Sequence, residues 1–256
     1  MRNFFLFRQM KPFLILQLRA LDDAADNEFE AFLRYGNLSE SEVKRIRMER
    51  ESFAGLDPGR YAGVIVGGGP SNVSDKEIDK PEYQQRFEKE LDSLYRKIFE
   101  NDIPFLGSCY GLGSVAKYAG GLVSKERYSE EVGYVEVQLN EHAKQDLLIK
   151  DLPDSFNAFC GHKEACQNVP EGGVLLGGSQ ACPVQIIRFG KNIYATQFHC
   201  ELDADGIAER IRYYRHHGYF EPDSADELIA KTKDVVAEVP QIILKRFVDR
   251  YRSDRM

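Results

Sequence analysis

Residues 103–121 read IPFLGSCYGLGSVAKYAGG. The apolar run IPFLG fits a strand buried on both faces, and VAKYAGG fits the end of a helix stopped by a double glycine. Between them lies Gly107-Ser108-Cys109-Tyr110-Gly111, one cysteine flanked two residues away on each side by glycine. A strand that turns directly into a helix holds its middle residue in an uncomfortable conformation, and glycines on both sides relieve the crowding. Such a turn exposes Cys109 at the carboxyl end of a sheet and at a helix N-terminus, whose partial positive charge favours thiolate. The plainer reading is a small core residue with glycines for close packing.

Working outward, FLILQL (13–18) and YAGVIVGGGPSN (61–72) are two more strand-like runs, and VKRIRMER (43–50) alternates as an edge strand would. NEFEAFLRYG (27–36) places Phe29, Phe32 and Leu33 at helical spacing, with Gly36 as its stop. PEYQQRFEKELDSLYRKIFEND (81–102) is a long amphipathic helix with Pro81 near its first turn. Strands alternating with helices predict an α/β fold, a doubly wound, mostly parallel open sheet flanked by helices. After Gly121 the pattern changes. YVEVQL, PVQIIRFG and NIYATQFH are closely spaced, which predicts a small antiparallel annex turning at 190–192. From Asp203 the chain reads as helical, with a capping box at Ser224 and Glu227 and Pro240 separating two C-terminal helices. Leu244, Phe247, Val248 and Tyr251 stripe the last helix, which predicts docking on its own core, with a partner subunit as the alternative.

Composition bounds the function. The chain has 256 residues, 43% apolar and 29% charged, and a formal net charge of −7. It can bury a core unaided, and its charge argues against a nucleic-acid partner. Lys245, Arg246, Arg250, Arg252 and Arg255 make the C-terminus basic, read as a solvated helix face. The apolar N-terminus is broken by Arg8, Gln9 and Lys11, so it resembles neither a signal peptide nor a membrane span, and Met10 is an alternative start. Five cysteines without a secretory signal predict free thiols in the cytoplasm.

Two further constellations carry chemistry. Gln197-Phe198-His199-Cys200-Glu201 ends an apolar run. In extended backbone, His199 and Glu201 face the same way, so the carboxylate can fix the imidazole tautomer and leave the other nitrogen to act on a thiol. Gly67-Gly68-Gly69-Pro70 follows VIV, and its N–H groups could line an oxyanion hole. The lysine and serine/threonine of a phosphate loop are missing. Cys160, His162, Cys166 and Cys200 fit no zinc template, so no metal is expected, and His142, His216 and His217 read as solvated surface residues.

GGGP, GSCYG and QFHCE, in that order, resemble the class I, triad-type glutamine amidotransferase domain. The resemblance covers roughly residues 13–215 and assigns 10–215 to that domain, leaving 216–256 as a helical extension packed on it or on a partner. CGHKEA (160–165) is similar to a Ser-His-x-Asp stretch of guanylate-synthesising members. The resemblance implies that Cys109 attacks the glutamine carboxamide, that His199 moves the proton, and that Glu201 orients His199. It implies an oxyanion hole from the N–H groups of Gly69 and Tyr110, substrate contacts at Gly68, Gly113, Gly161 and His162, and no cofactor. Two departures stand out. Gly113 replaces the glutamine that many members carry four residues after the cysteine, which enlarges the pocket, and Cys200 replaces a proline between His and Glu. No synthase domain follows, so ammonia would pass to an acceptor synthase in trans. A γ-glutamyl amine or peptide hydrolase, a weakly active binding homologue and a homodimer are the alternatives in view.

Overall fold

In the computed structural model, residues 11–252 are described; the alternative start at Met10 and the basic Arg255 lie outside them. The elements run β1 (Phe13–Gln17), α1 (Asp22–Gly36), β2 (Val43–Arg47), β3 (Val64–Val66), α2 (Glu82–Asn101), β4 (Phe105–Ser108), α3 (Tyr110–Tyr118), β5 (Val123–Ser124), β6 (Glu130–Leu139), β7 (Ser155–His162), β8 (Ala165–Cys166), β9 (Gly173–Gly178), β10 (Ile186–Phe189), β11 (Ile193–Thr196), α4 (Ala204–Tyr214), α5 (Ala225–Thr232) and α6 (Val239–Tyr251). One nine-stranded sheet has the order β2-β1-β3-β4-β11-β10-β9-β6-β7, and β5 pairs with β8 separately.

The expected parallel sheet is present. β2, β1, β3, β4 and β11 pair in parallel, with β2 at the edge as its alternation predicts. The antiparallel part is larger than an annex. β10, β9, β6 and β7 continue the same sheet, and β11 belongs to both halves by pairing parallel to β4 and antiparallel to β10. Glycines and polar residues interrupt β7 and β9, so neither advertises itself in the sequence.

Period-two alternation in the buried strands builds a core on each face. Leu14 and Leu16 join Val64, Val66 and Phe105 against Phe87, Leu91 and Leu94 of α2 and Val115 of α3. Phe13 and Ile15 point the other way and join Ile65 and Leu106 against Phe32 of α1 and Leu244, Phe247 and Val248 of α6. The apolar stripe of α6 therefore docks on this core, as expected. Its basic residues are not simply solvated: Arg246 donates to the carbonyls of Leu148 and Lys150 at 3.0 and 2.6 Å, and Arg252 lies 3.1 Å from Glu42.

Two helix ends differ from expectation. α1 stops where Asn37, not Gly36, adopts the left-handed conformation, at φ 51°. The capping box at Ser224 and Glu227 does not form. A 3-10 turn at Pro222–Ser224 runs straight into α5, so Ser224 is already helical and its hydroxyl donates to the Glu221 carbonyl, while Glu227 pairs with Lys231. A capping box does form at Ser39 and Glu42.

Candidate functional site

Brought together at the carboxyl ends of β3, β4 and β11 are the three constellations, where open parallel sheets place their ligands. β4 ends at Ser108, α3 begins at Tyr110, and Cys109 is the single residue between them. Its φ and ψ are 54° and −100°, a conformation that costs on the order of 1–3 kcal/mol and that the surroundings must enforce. The Cys109 N–H is tied to the Thr196 carbonyl at 2.8 Å, which fixes β4 against β11 at this point. The glycines explain themselves by close approach. A methyl on Gly107 would stand 2.7 Å from the Gly111 carbonyl carbon, and one on Gly111 would stand 2.6 Å from the Val66 carbonyl oxygen.

The imidazole and the carboxylate come from the chain just after β11. His199 Nδ1 donates to Glu201 Oε1 at 2.8 Å, and Glu201 is completely buried. The Cys109 thiol is close enough to the ring to raise its basicity. Gly68 packs under that ring: a methyl there would stand 2.4 Å from His199 Cε1. Gly69 is held against β1, since a methyl on it would meet the Leu18 carbonyl oxygen at 2.3 Å.

Behind Glu201 lies a buried charge network that the sequence pattern does not reveal. The Arg210 Nη2 of α4 is 3.5 Å from Glu201 Oε1 and 3.6 Å from Glu28 Oε1 of α1. Arg19 Nη2 is 3.0 Å from Glu28 Oε1, and Gln17 donates to Glu28 Oε2 at 2.9 Å. Burial alone would raise the Glu201 carboxyl, but His199, Arg210 and Arg19 hold it well below the usual carboxylate range. Burial pulls the His199 imidazolium down, yet Glu201 and the Cys109 thiol outweigh it and push the ring up to about 9. Cys109 is the one partly exposed cysteine of the five. Burial pushes the Cys160 and Cys166 thiols up, and Cys182 and Cys200 up to about 12, which leaves those sulfurs protonated and inert.

A cavity of about 120 Å³ opens over Cys109. Gly69, Tyr110, Gly113, Gly161 and His162 line it, whereas Gly68 contributes only its contact with the His199 ring. The His162 ring is engaged within the protein, through Nε2 with Glu130 at 2.7 Å and Nδ1 with the Glu164 carbonyl at 2.9 Å. The room expected beside Gly113 is partly filled. A methyl there would touch both Glu164 Oε1 and Val73 Cγ2 at 3.4 Å. Glu164 accepts the N–H groups of Val73 and Ser74 at 2.8 Å each and so clamps the loop that follows Gly69. Its signal was the acidic residue next to last in the CGHKEA stretch. His217 is exposed but lines the cavity, which corrects its reading as mere surface, and Tyr219 lines it as well. The sulfurs and rings weighed for zinc do not converge as a set: His162 instead has its ligating atoms near Glu130 and Cys182.

The fold has counterparts among known proteins. A glutamine amidotransferase from Thermotoga maritima superposes with a TM-score of 0.72 at 20% identity, covering 94% of this chain and 98% of that one. A glutamine amido transferase from Methylobacillus flagellatus gives 0.72 at 21% identity, covering 96% and 98%. By sequence, the chain is 31% identical over 150 residues to the GMP synthase [glutamine-hydrolyzing] of Borrelia garinii subsp. bavariensis, covering 59% of this chain and 25% of that enzyme. It is likewise 31% identical over 163 residues to that of Thermosipho africanus, covering 63% and 28%. The chain thus spans about a quarter of the length of these curated relatives. The family model for glutamine amidotransferase class-I matches residues 21–219. That span takes in every strand of the large sheet except β1 and every residue around the cavity, and on that ground the chain belongs to the class-I glutamine amidotransferase family.

Proposed function

We propose that the protein hydrolyses the side-chain amide of glutamine through a γ-glutamyl thioester on Cys109 and gives up the ammonia to an acceptor synthase in trans. The observation that carries this reading is the His199–Glu201 contact at 2.8 Å, beside a Cys109 thiol that also raises the ring's basicity. His199 takes the thiol proton, and the sulfur attacks the amide carbon. The resulting oxyanion is met by the N–H groups of Gly69 and Tyr110, each worth about 3 kcal/mol of barrier. The C–N bond then breaks, and His199 passes its proton to the departing nitrogen, which leaves as ammonia. Water, deprotonated by His199, attacks the thioester, and glutamate leaves as the thiol is restored.

Glu201 keeps His199 in the tautomer that presents its free nitrogen to sulfur, and the Arg210 and Arg19 charges keep Glu201 ionised. The walls at Gly113, Gly161 and His162 receive the amino-acid end of the substrate, and Gly68 lets the His199 ring settle against the loop. No cofactor enters this scheme. The names of the curated relatives favour a nucleotide-forming synthase as acceptor. The test is glutamate release from glutamine by the unmodified protein and by Cys109→Ala. The unmodified protein is expected to release glutamate and the variant none; release by both would overturn the reading.

A further inference from the structure

Tyr219 occupies a place that the proposed reaction does not use. Two cavities meet at it. One is the chamber over Cys109; the other, of about 50 Å³, lies behind His199 and is walled by Val132, Leu202, Ile207, Ile211 and Phe220, with Arg19 and Arg210 also on its lining. Cys109 lines only the first, His199 only the second, and Gly161 and Tyr219 line both. The Tyr219 hydroxyl is buried and finds no partner among the described residues. The ring is nonetheless held in place. It packs at a tilt against Tyr214 with ring centroids 5.1 Å apart, Lys163 Nζ lies over the ring at 5.6 Å, and the same Nζ donates to the preceding Gly218 carbonyl at 2.7 Å. A fixed ring with an unsatisfied hydroxyl, at the border of a reaction chamber, is an arrangement whose cost a bound polar group would recover.

We infer that Tyr219 is a specificity-determining residue that confines the enzyme to primary amides. This rests on the proposed hydrolysis at Cys109. The leaving nitrogen must lie within reach of His199, on the side where the apolar chamber opens. The Tyr219 hydroxyl accepts one N–H of the carboxamide, and its ring stops an N-alkyl substituent from entering the chamber behind. An alkyl group placed on that nitrogen removes an N–H and meets the ring. Without the ring, the walls of Val132, Ile207 and Ile211 suit a short alkyl tail.

The experiment compares kcat/KM for glutamine and for γ-glutamylethylamide in the unmodified protein, Tyr219→Phe and Tyr219→Ala, with a melting temperature for each. The unmodified protein should favour glutamine. Tyr219→Ala should move the ratio of the two kcat/KM values toward the ethylamide by about tenfold or more, the scale of a small apolar group in a pocket. Tyr219→Phe should lower kcat/KM for glutamine by about tenfold without lowering the melting temperature, since the hydroxyl has no partner among the described residues. Turnover with an unchanged substrate ratio in Tyr219→Ala, or unchanged glutamine kinetics in Tyr219→Phe, would overturn the assignment of Tyr219. Absence of turnover of either compound by the unmodified protein would instead sink the underlying reading of Cys109, and this assignment with it.

Discussion

At the scale of single residues, Cys109 and His199 are each held in a state that free residues avoid. Cys109 sits at a positive φ that glycines on either side make attainable, and His199 keeps a proton to about 9 in spite of burial. That shift has a consequence for stability. The folded His199 binds its proton more tightly than the unfolded chain does, so its contribution is fully present below the unfolded value of 6.5 and is lost as pH rises toward 9. Thermal melts between pH 6 and 10 should therefore show a decline, about 3 kcal/mol at most from this group. In Glu201→Gln the decline should flatten, because the charge that raises His199 is gone. The same variant should lower glutamate release by about 10²–10⁴-fold, the usual worth of a positioned acid-base group. Such pairwise chemistry was legible from the order of three short motifs. The partners of Glu201 were not: Arg19, Glu28 and Arg210 lie on separate elements, and no local spacing joins them.

At the scale of elements, the glycine loop depends on a residue far away in sequence. Glu164 closes the turn after β7 and accepts two N–H groups of the loop that follows Gly69. Glu164→Ala should cost about 2 kcal/mol in urea unfolding, because a buried donor and a half-buried one lose a charged acceptor. Its glutamate release should fall as well, since the loop that follows Gly69 is no longer clamped; activity equal to the unmodified protein would show that the loop keeps its shape unaided. The terminal helix gives a contrasting pair. Phe247→Ala should cost about 3–5 kcal/mol, because the ring is fully buried between α6 and β1. Ser224→Ala should change stability by less than about 0.5 kcal/mol, because its side chain caps nothing. The capping-box pattern misleads here because a Pro222 turn feeds directly into α5, a tertiary choice that four letters cannot announce. The stripe on α6 was readable because periodicity and burial agree.

For the whole molecule, strand alternation settled the parallel half of the sheet. Runs such as FLILQ and VIV are apolar on both faces because helices cover both faces. The antiparallel half was harder to see. β7 and β9 carry glycine and polar residues, and their place is set by pairing with β6 rather than by their own pattern. Their position matters to function, because β7 ends in Gly161 and His162 and so supplies one wall of the cavity. The segment after α4 supplies His217 and Tyr219, so the site is completed by residues from nearly the whole length of the domain. All of this converges on one sulfur. Intact-protein mass spectrometry of the unmodified protein mixed rapidly with glutamine and quenched in acid reads that sulfur directly. The account predicts a protein heavier by one glutamyl group, with the adduct mapping to Cys109 and absent from Cys109→Ala; an adduct on another cysteine, or glutamate release with no Cys109 adduct at any quench time, would contradict it.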